Sequence, residues 1–229
     1  MSAAYFDPFL FVVFPYVALS LCVIESARRY YQQPFTYSSL SSQFLENQYH
    51  FWGIVPFHFG LMVVLTGHLA AFAVPRGLLL WNSVPIRLYL LETTGFVAAL
   101  LALIGLVNLI VRRFTEPSLR VVTTPMDWVV LALLSGQIFL GTYIAIFRPW
   151  GSSWFATSLT PYLWSILKLS PDMSYVAAMP LAVKAHIVGA FALVAVLPFT
   201  RLVHMLVMPL PYLWRAPQVV RWQGPRRNP

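Results

Sequence analysis

Five long apolar segments determine what this chain can fold into. A membrane-spanning helix needs about 20 apolar residues, and each of the five segments is close to that length or longer. The 229 residues are 59% hydrophobic and only 10% charged, whereas soluble domains carry roughly 25% charged residues. The sequence therefore predicts one all-α membrane domain, residues 1–229, with five transmembrane helices. They are predicted at Phe9 to Ile24, Phe51 to Val74, Leu88 to Val111, Trp128 to Ile146 and Val183 to Val207.

The distribution of positive charge predicts the orientation of these helices. Lys and Arg concentrate on the cytoplasmic side of membrane proteins. Five spans put the termini on opposite sides, and an outside N-terminus leaves ten of the 15 basic residues inside. This excess accounts for the net charge of +8 without invoking nucleic acid. We therefore expect the N-terminus outside and the C-terminus in the cytoplasm. The five outer basic residues would be Arg76, Arg87, Arg148, Lys168 and Lys184.

The start of the chain is interpreted as a helix that is retained rather than as a targeting signal. A cleavable signal peptide has basic residues in front of its apolar stretch. Here no basic residue precedes the first segment, and Arg28 and Arg29 follow it. The first segment is therefore counted as a membrane span with its N-terminus outside.

Four histidines lie inside the apolar segments, His58 and His68 in the second and His186 and His204 in the fifth. An ionisable side chain in a membrane helix is costly and usually has a function. Histidine is the commonest metal ligand and binds haem iron axially. Cys22 is the only cysteine, so no Cys pair exists for covalent haem attachment or for a zinc site. The pattern predicts two non-covalent haems, each held between two histidines.

The second and fifth helices run antiparallel, and this predicts which histidines pair. His58 should lie level with His204 near the cytoplasmic side, and His68 level with His186 near the outer side. In continuous helices, the 18 residues from His186 to His204 make five full turns, and the 10 from His58 to His68 fall about 80° short of three turns. The two histidines of each helix would then share a face. Their axial separations, about 27 Å and about 15 Å, differ by an amount that helix tilt could absorb.

Several residues close to the histidines have two interpretations. Arg201 and Arg112 lie near the inner ends of their helices, and guanidinium groups bind carboxylates bidentately. They are candidates for binding haem propionates, or alternatively for anchoring the helices by positive charge. Gly60, Gly67 and Gly189 could allow a porphyrin to approach the backbone, or could serve helix packing. The sequence leaves the role of these glycines open.

Two segments outside the spans are rich in aromatic residues. The connection from Arg148 to Met179 contains three Trp and two Tyr, which predicts a short interfacial helix plus a loop, acting either as a lid or as an interface anchor. The tail, residues 209–229, contains two Trp and four Arg. We expect this tail on the cytoplasmic face, in contact with anionic lipid or with a soluble partner subunit.

Short motifs are distributed along nearly the whole chain. They are Phe14-Pro-Tyr16, Ser41-Ser42-Gln43, Phe57-His58, Gly67-His68, Arg112-Arg113-Phe114, Thr123-Thr124, Asp127, the stretch from Pro198 to His204, and Pro209. With these motifs and the two histidine spacings, the chain resembles the gamma subunit, a dihaem cytochrome b, of membrane-bound respiratory nitrate reductase. The match is much more specific than any of its motifs alone.

The resemblance implies a fold, a site and a set of partners. It implies five helices with the N-terminus outside, in the inner (cytoplasmic) membrane. His58 and His204 would hold a proximal, inner haem b, and His68 and His186 a distal, outer one. Quinol would be oxidised near the outer haem. Electrons would then pass through the inner haem to an iron–sulfur subunit and a molybdenum subunit that reduces nitrate on the cytoplasmic side.

One residue departs from the family pattern. The family has a lysine at the start of the third helix that helps to bind quinol, and the nearest match here is Arg87. Arginine can still donate a hydrogen bond to a quinone oxygen, but it cannot share a proton as lysine can. A quinol site at Arg87 is therefore expected with altered chemistry, and a c-type cytochrome is an alternative electron partner.

Three other functions are open at this point. A dihaem subunit of another molybdenum complex, such as a nitrite oxidoreductase, would have the same histidines and differ only in its catalytic partner. A histidine-based transporter would be expected to show internal repeats or broken helices, and the sequence has no repeat and only Pro198 as a break within a span. A passive anchor would leave four matched histidines unexplained.

Overall fold

The computed structural model describes residues 3–33, 36 and 50–206. Within these residues all regular structure is helical, and five helices are long and apolar enough to cross a membrane. The predicted all-α fold with five spans is confirmed, and the sidedness of the termini stays a prediction. The tail at 209–229 lies outside the described residues. The long helices are α1 (Phe14–Gln32), α2 (His50–Ala73), α3 (Pro85–Thr115), α4 (Pro125–Phe147) and α5 (Leu181–Val196).

The long helices begin and end at local signals rather than at the limits of the apolar segments. α3 starts at Pro85, just after the extended residue Val84, because a proline at the first helical position lacks only an N–H that would have no helical partner. α4 starts in the same way at Pro125. At the N-terminus, a short helix (Ala3–Pro8) and a π-helical turn (Phe9–Val13) lead into α1, so the first apolar span runs from Phe6 to Gln32.

Small residues let α2 and α3 approach at backbone distance. A Cβ at Gly60 would lie 2.6 Å from the amide nitrogen of Ala102, and one at Gly105 would lie 2.7 Å from the carbonyl oxygen of Gly53. Such contacts are typical of small residues between membrane helices. The remaining long helices follow in order, with α3 packed on α4, α4 on α5, and α5 on α1. The two histidine-bearing helices, α2 and α5, are thus each held by other helices.

The connection after α4 folds into short helices that pack into the bundle. They are Gly151–Trp154, a π-helical turn Phe155–Leu159, Thr160–Leu167 and Ser174–Ala177. Tyr162 is completely buried, and its hydroxyl donates a hydrogen bond to the Phe11 carbonyl oxygen at 2.8 Å. Burial raises the pKa of Tyr162, so this hydroxyl stays protonated and able to donate. The predicted short helix is present and is tied to the N-terminal span, whereas its location at the membrane interface stays a prediction.

The fifth span is not one continuous helix, so the prediction that it runs from Val183 to Val207 was wrong in its second half. α5 ends at Val196 and is followed by two 3₁₀ segments, Leu197–Phe199 and Arg201–Leu206, separated by the extended residue Thr200. The break follows from Pro198, which lacks a backbone N–H and cannot continue an α-helix without loss of a hydrogen bond. The five-turn relation between His186 and His204 therefore does not apply.

Candidate functional site

The structure brings His58 and His204 together. Their ring centres are 6.5 Å apart, with 53° between the ring planes. His58 lies on α2, whereas His204 lies in the 3₁₀ segment beyond α5. The break at Pro198 therefore does not separate them, and the two imidazoles lie close together although the chain around His204 is not α-helical.

Both rings of this pair are fixed by a hydrogen bond within their own segment. The Nδ1 atom of His58 lies 2.9 Å from the carbonyl oxygen of Ile54, and that of His204 lies 2.5 Å from the carbonyl oxygen of Arg201. A carbonyl can only accept, so each Nδ1 must carry the proton and each Nε2 keeps its lone pair. A histidine that binds a metal through one nitrogen usually donates its other N–H in this way.

The spacing of the two rings matches a shared axial metal. Metal–imidazole bonds are about 2.0–2.1 Å long and a ring centre lies about 1.1 Å behind its ligating nitrogen, so two imidazoles on opposite sides of one metal have centres about 6 Å apart. The observed 6.5 Å agrees with this value. His58 is an exposed side chain, and an uncovered imidazole in a span would face hydrocarbon. The residues therefore fit a haem held by His58 and His204.

The second pair consists of His68 on α2 and His186 on α5. The Nδ1 atom of His68 lies 2.8 Å from the carbonyl oxygen of Val64, and the His68 ring makes an edge contact with Phe155, with ring centres 5.2 Å apart. His68 and His186 are close enough to interact electrostatically. Nδ1 of His186 is buried and has no hydrogen-bond partner among the described residues. His186 thus differs from the other three histidines, whose Nδ1 atoms each meet a carbonyl oxygen of their own segment.

Two residues that the sequence analysis missed hold His186 against α4. A Cβ at Gly141 would lie only 3.2 Å from Cε1 of His186, so a side chain larger than that of glycine would press against the imidazole. The side-chain amide of Gln137 donates a hydrogen bond to the His186 carbonyl oxygen at 2.8 Å. Gln137 is a polar residue within a span, and this was the available signal. Gly141 carried no signal, because its role depends on which helix α4 faces.

The glycines proposed to face a porphyrin have different surroundings. Gly60 packs against the α3 backbone, which is helix packing. Gly189 lies against the side chain of Gln137, so it makes room for that amide. Nothing lies within 4 Å of a Cβ at Gly67, which leaves both interpretations open for this residue.

The arginines predicted to bind propionates are both engaged with the protein. Arg201 forms a bidentate pair with Asp127, with Nε at 2.6 Å from Oδ1 and Nη2 at 2.7 Å from Oδ2. Asp127 is only 5% exposed. Arg112 is also 5% exposed and lies in the last turn of α3. The structure therefore places both guanidinium groups near the end of the bundle that contains His204, and for Arg201 it identifies a protein carboxylate as partner.

Arg87 lies at the other end of the bundle, in the first turn of α3. Its guanidinium sits over the ring of Trp81, 5.3 Å from the ring centre, and the Trp81 indole donates to the Arg87 carbonyl oxygen at 3.2 Å. A cation over an indole face is an attractive arrangement. One turn further on, Glu92 accepts hydrogen bonds from the backbone and hydroxyl of Ser152 at 2.9 and 2.6 Å, which ties α3 to the segment that contacts His68.

Within the part of the chain that the structure describes, no three His, Cys, Asp or Glu side chains lie together as a cluster that could hold a metal ion. Axial ligation of a haem needs two side chains per iron rather than three, since the porphyrin supplies the other ligands. The spacing of His58 and His204 is compatible with this requirement.

Comparison with known proteins yields consistent matches over nearly the whole chain. Residues 7–223 match the family model of the nitrate reductase gamma subunit. The chain is 32% identical to the nitrate reductase gamma chain of Bacillus subtilis, over 93% of this chain and 96% of the relative. It is 28% identical to the respiratory nitrate reductase 1 gamma chain of Escherichia coli, over 95% of this chain and 98% of the relative.

Proposed function

The chain belongs to the family of nitrate reductase gamma subunits, and from this premise we propose that it oxidises quinol at the outer face of the membrane and delivers the electrons, with two b haems, to an iron–sulfur subunit. Family membership makes it a multi-pass membrane subunit of a respiratory nitrate reductase, an oxidoreductase complex with further subunits. A molybdenum subunit on the cytoplasmic side would reduce nitrate.

The proposal rests above all on the pairing of His58 with His204. Their rings are 6.5 Å apart, and each Nδ1 is fixed by a carbonyl oxygen. The hydrogen bonds hold each ring in orientation and raise the basicity of its Nε2. We assign the inner haem to His58 and His204 and the outer haem to His68 and His186. When bound, each haem supplies reversible one-electron transfer at its iron.

The quinol-binding role falls to residues at the outer end of the bundle. Arg87 carries a permanent charge and several N–H donors, so it can hydrogen-bond a quinone oxygen. Arginine side chains keep their charge in proteins, so an arginine cannot relay the protons that quinol oxidation releases. Those protons would leave through water or other groups on the outer side.

Propionate binding is proposed for Arg112 and, in a restricted form, for Arg201. Arg112 lies buried in the last turn of α3, at the end of the bundle that contains His204. A propionate at Arg201 would share the guanidinium with Asp127. An outside N-terminus and a cytoplasmic tail complete the proposal, since they put the inner haem beside the soluble subunits.

The first experiment is a dithionite-reduced minus oxidised optical spectrum of the purified complex, with the haem-to-chain ratio. Two b haems per gamma chain are the expected result, and reduction of both by quinol would establish the donor. A folded, assembled complex from iron-replete cells with no b-haem signal would refute the proposal and return a histidine-based transporter or a passive anchor as explanations.

A further inference from the structure

The segment that carries His204 cannot hold its shape by α-helical hydrogen bonds. It consists of the 3₁₀ segments Leu197–Phe199 and Arg201–Leu206 with the extended residue Thr200 between them. Short 3₁₀ runs are less stable than α-helix and depend on outside contacts. The position of His204 must therefore be set by other parts of the protein, and two charged side chains reach this segment from opposite neighbours.

The first contact comes from α1. The guanidinium of Arg29 donates hydrogen bonds to the carbonyl oxygens of Pro198 and Thr200, at 2.6 and 3.0 Å. These two carbonyls lie at the break after α5, and the Thr200 carbonyl oxygen also accepts the Val203 N–H at 3.4 Å, which is a long bond. Arg29 therefore satisfies the backbone at the point where α5 ends, and it fixes where the second 3₁₀ segment begins.

The second contact comes from α4. Asp127 binds the guanidinium of Arg201 through both carboxylate oxygens. At its other end, Arg201 accepts the Nδ1–H of His204 on its carbonyl oxygen. One residue thus links the carboxylate to the imidazole: where Asp127 holds the Arg201 side chain, it also limits where the Arg201 carbonyl, and with it the His204 ring, can lie.

The surroundings of Asp127 make the charge itself important. Asp127 is 5% exposed, and Arg113 lies close enough to interact electrostatically with both Asp127 and Arg201. Without the carboxylate, two guanidinium groups would face each other in a partly buried site. Removing one partner of such a pair is strongly destabilising, because it leaves an uncompensated charge. Arg201 would therefore move, and its carbonyl would move with it.

We propose that Asp127 and Arg29 are positioning residues for His204, acting on the 3₁₀ segment from α4 and α1, and that they set the geometry of the inner haem. This inference rests on the proposed ligation of that haem by His58 and His204. Neither residue touches the haem in this scheme. Their effect is confined to one of the two haems, because both histidines of the outer pair lie on regular helix and His186 is held by Gln137 and Gly141 instead.

The test uses Asp127 variants that separate charge from helix capping. Asp127 also accepts the backbone N–H of Thr124 in a capping box, and both Glu and Gln can fill that position of the box. D127Q keeps the cap and loses the charge, D127E keeps both, and T124A removes the hydroxyl half of the cap while the ion pair stays. All are made in the full complex, with H204A identifying the inner-haem signal.

In D127Q we expect the inner haem to fall below one per chain, with a shifted midpoint potential and an altered low-spin electron paramagnetic resonance signal in the fraction that remains. The outer-haem signals should be unchanged. D127E should restore the inner haem, and T124A should leave it as in wild type. An unchanged inner-haem potential and resonance signal in D127Q would overturn the role of Asp127. If D127Q does not assemble, the inner-haem content, midpoint potential and resonance signal are measured in the double variant D127Q/R201Q instead. This variant leaves no unpaired charge at position 201.

The Arg29 contact has its own matched control. Arg28 is adjacent and pairs with Glu25 on an exposed surface, so R28Q removes the same charge without touching the His204 segment. R29Q should shift the inner-haem potential and R28Q should not. Equal shifts in both would reduce the effect to general electrostatics and refute the positioning role of Arg29. A wild-type complex without haem would refute the proposed function itself, whereas two haems in wild type with unaffected variants would refute this inference alone.

Discussion

The two ends of the fifth span hold a histidine in different ways. His186 lies on the regular helix α5, where its ring rests on Gly141 and its carbonyl receives the Gln137 amide. His204 lies beyond the helix break, and charged side chains hold its segment. His186 is positioned by close packing and one neutral hydrogen bond, and His204 by hydrogen bonds and ion pairs of charged side chains. The difference indicates that a histidine on a regular helix needs few contacts from other segments, whereas one beyond a helix break needs several directional contacts.

The largest expected effect comes from removing a histidine at each end. H204A should abolish the inner haem and leave an outer haem that quinol still reduces. H186A should abolish the outer haem and stop quinol oxidation. Both losses are expected because each histidine supplies one of the two protein ligands of its haem. The measurement is the haem-to-chain ratio with quinol-reduced and dithionite-reduced spectra. Loss of both haems, or of neither, in each single variant would contradict the pairing.

The packing at the outer end can be tested by filling the space at Gly141. G141V should displace the His186 imidazole, because even a Cβ would lie 3.2 Å from Cε1 and the added methyl groups would reach further. We expect the outer-haem signal to be lost or strongly shifted, with the inner-haem signal intact. G136V on the same helix is the control, since nothing lies within 4 Å of a Cβ there. If G136V had an effect of the same size, the change would be due to a β-branched residue in α4 and not to contact with the His186 imidazole.

A smaller effect is expected from Q137L, which removes the hydrogen bond to the His186 carbonyl but keeps the apolar volume. A single neutral hydrogen bond contributes about 0.5–1.5 kcal/mol, so both haems should be retained and the outer haem should be released at a lower temperature. Thermal scans that follow haem absorbance in the complex measure this. Complete loss of the outer haem in Q137L would mean that Gln137 does more than hold the α5 backbone.

The smallest effect is expected at the ion pair between Asp7 and Lys184, two residues before His186. The Lys184 ammonium lies 2.5 Å from Oδ2 of Asp7, with side chains 17% and 14% exposed, whereas the Arg28–Glu25 pair has exposures of 51% and 23%. D7N should lower the stability of the outer-haem site by about 1 kcal/mol, and E25Q by less, because exposed pairs contribute about 0.2–1 kcal/mol. The same thermal scans at low and high salt compare the two. An equal or larger loss in E25Q would contradict the ranking by burial.

Much of the fold was predictable because membrane spans obey strong local rules. A span needs length and apolar composition, and both are visible in the sequence, so the five spans were predicted close to their positions. Helix ends were less accurate. α3 begins at Pro85 rather than Leu88, since a proline start does not depend on hydrophobicity. The second half of the fifth span was wrong because the same apolar residues suit an α-helix or a 3₁₀ segment.

Some residues of the candidate site could likewise be predicted from the sequence, and others could not. His58, His68, His186 and His204 could be named from the sequence because a polar ring in an apolar segment is rare and costly. Gly141 could not be named, because its contact with the His186 ring depends on how α4 packs on α5. Asp127 was noted only as part of a motif, and its pairing with Arg201 joins residues from two different helices.

The sequence by itself determined the family, the five spans and the four histidines, because each of these depends on residue types and their spacing along the chain. Only the tertiary structure decided that the ring centres of His58 and His204 lie 6.5 Å apart across a broken helix, that Arg201 is held by Asp127, and that Gly141 supports His186. These features are contacts between segments far apart in the chain. Their geometry follows from the packing of whole helices, which no local pattern encodes.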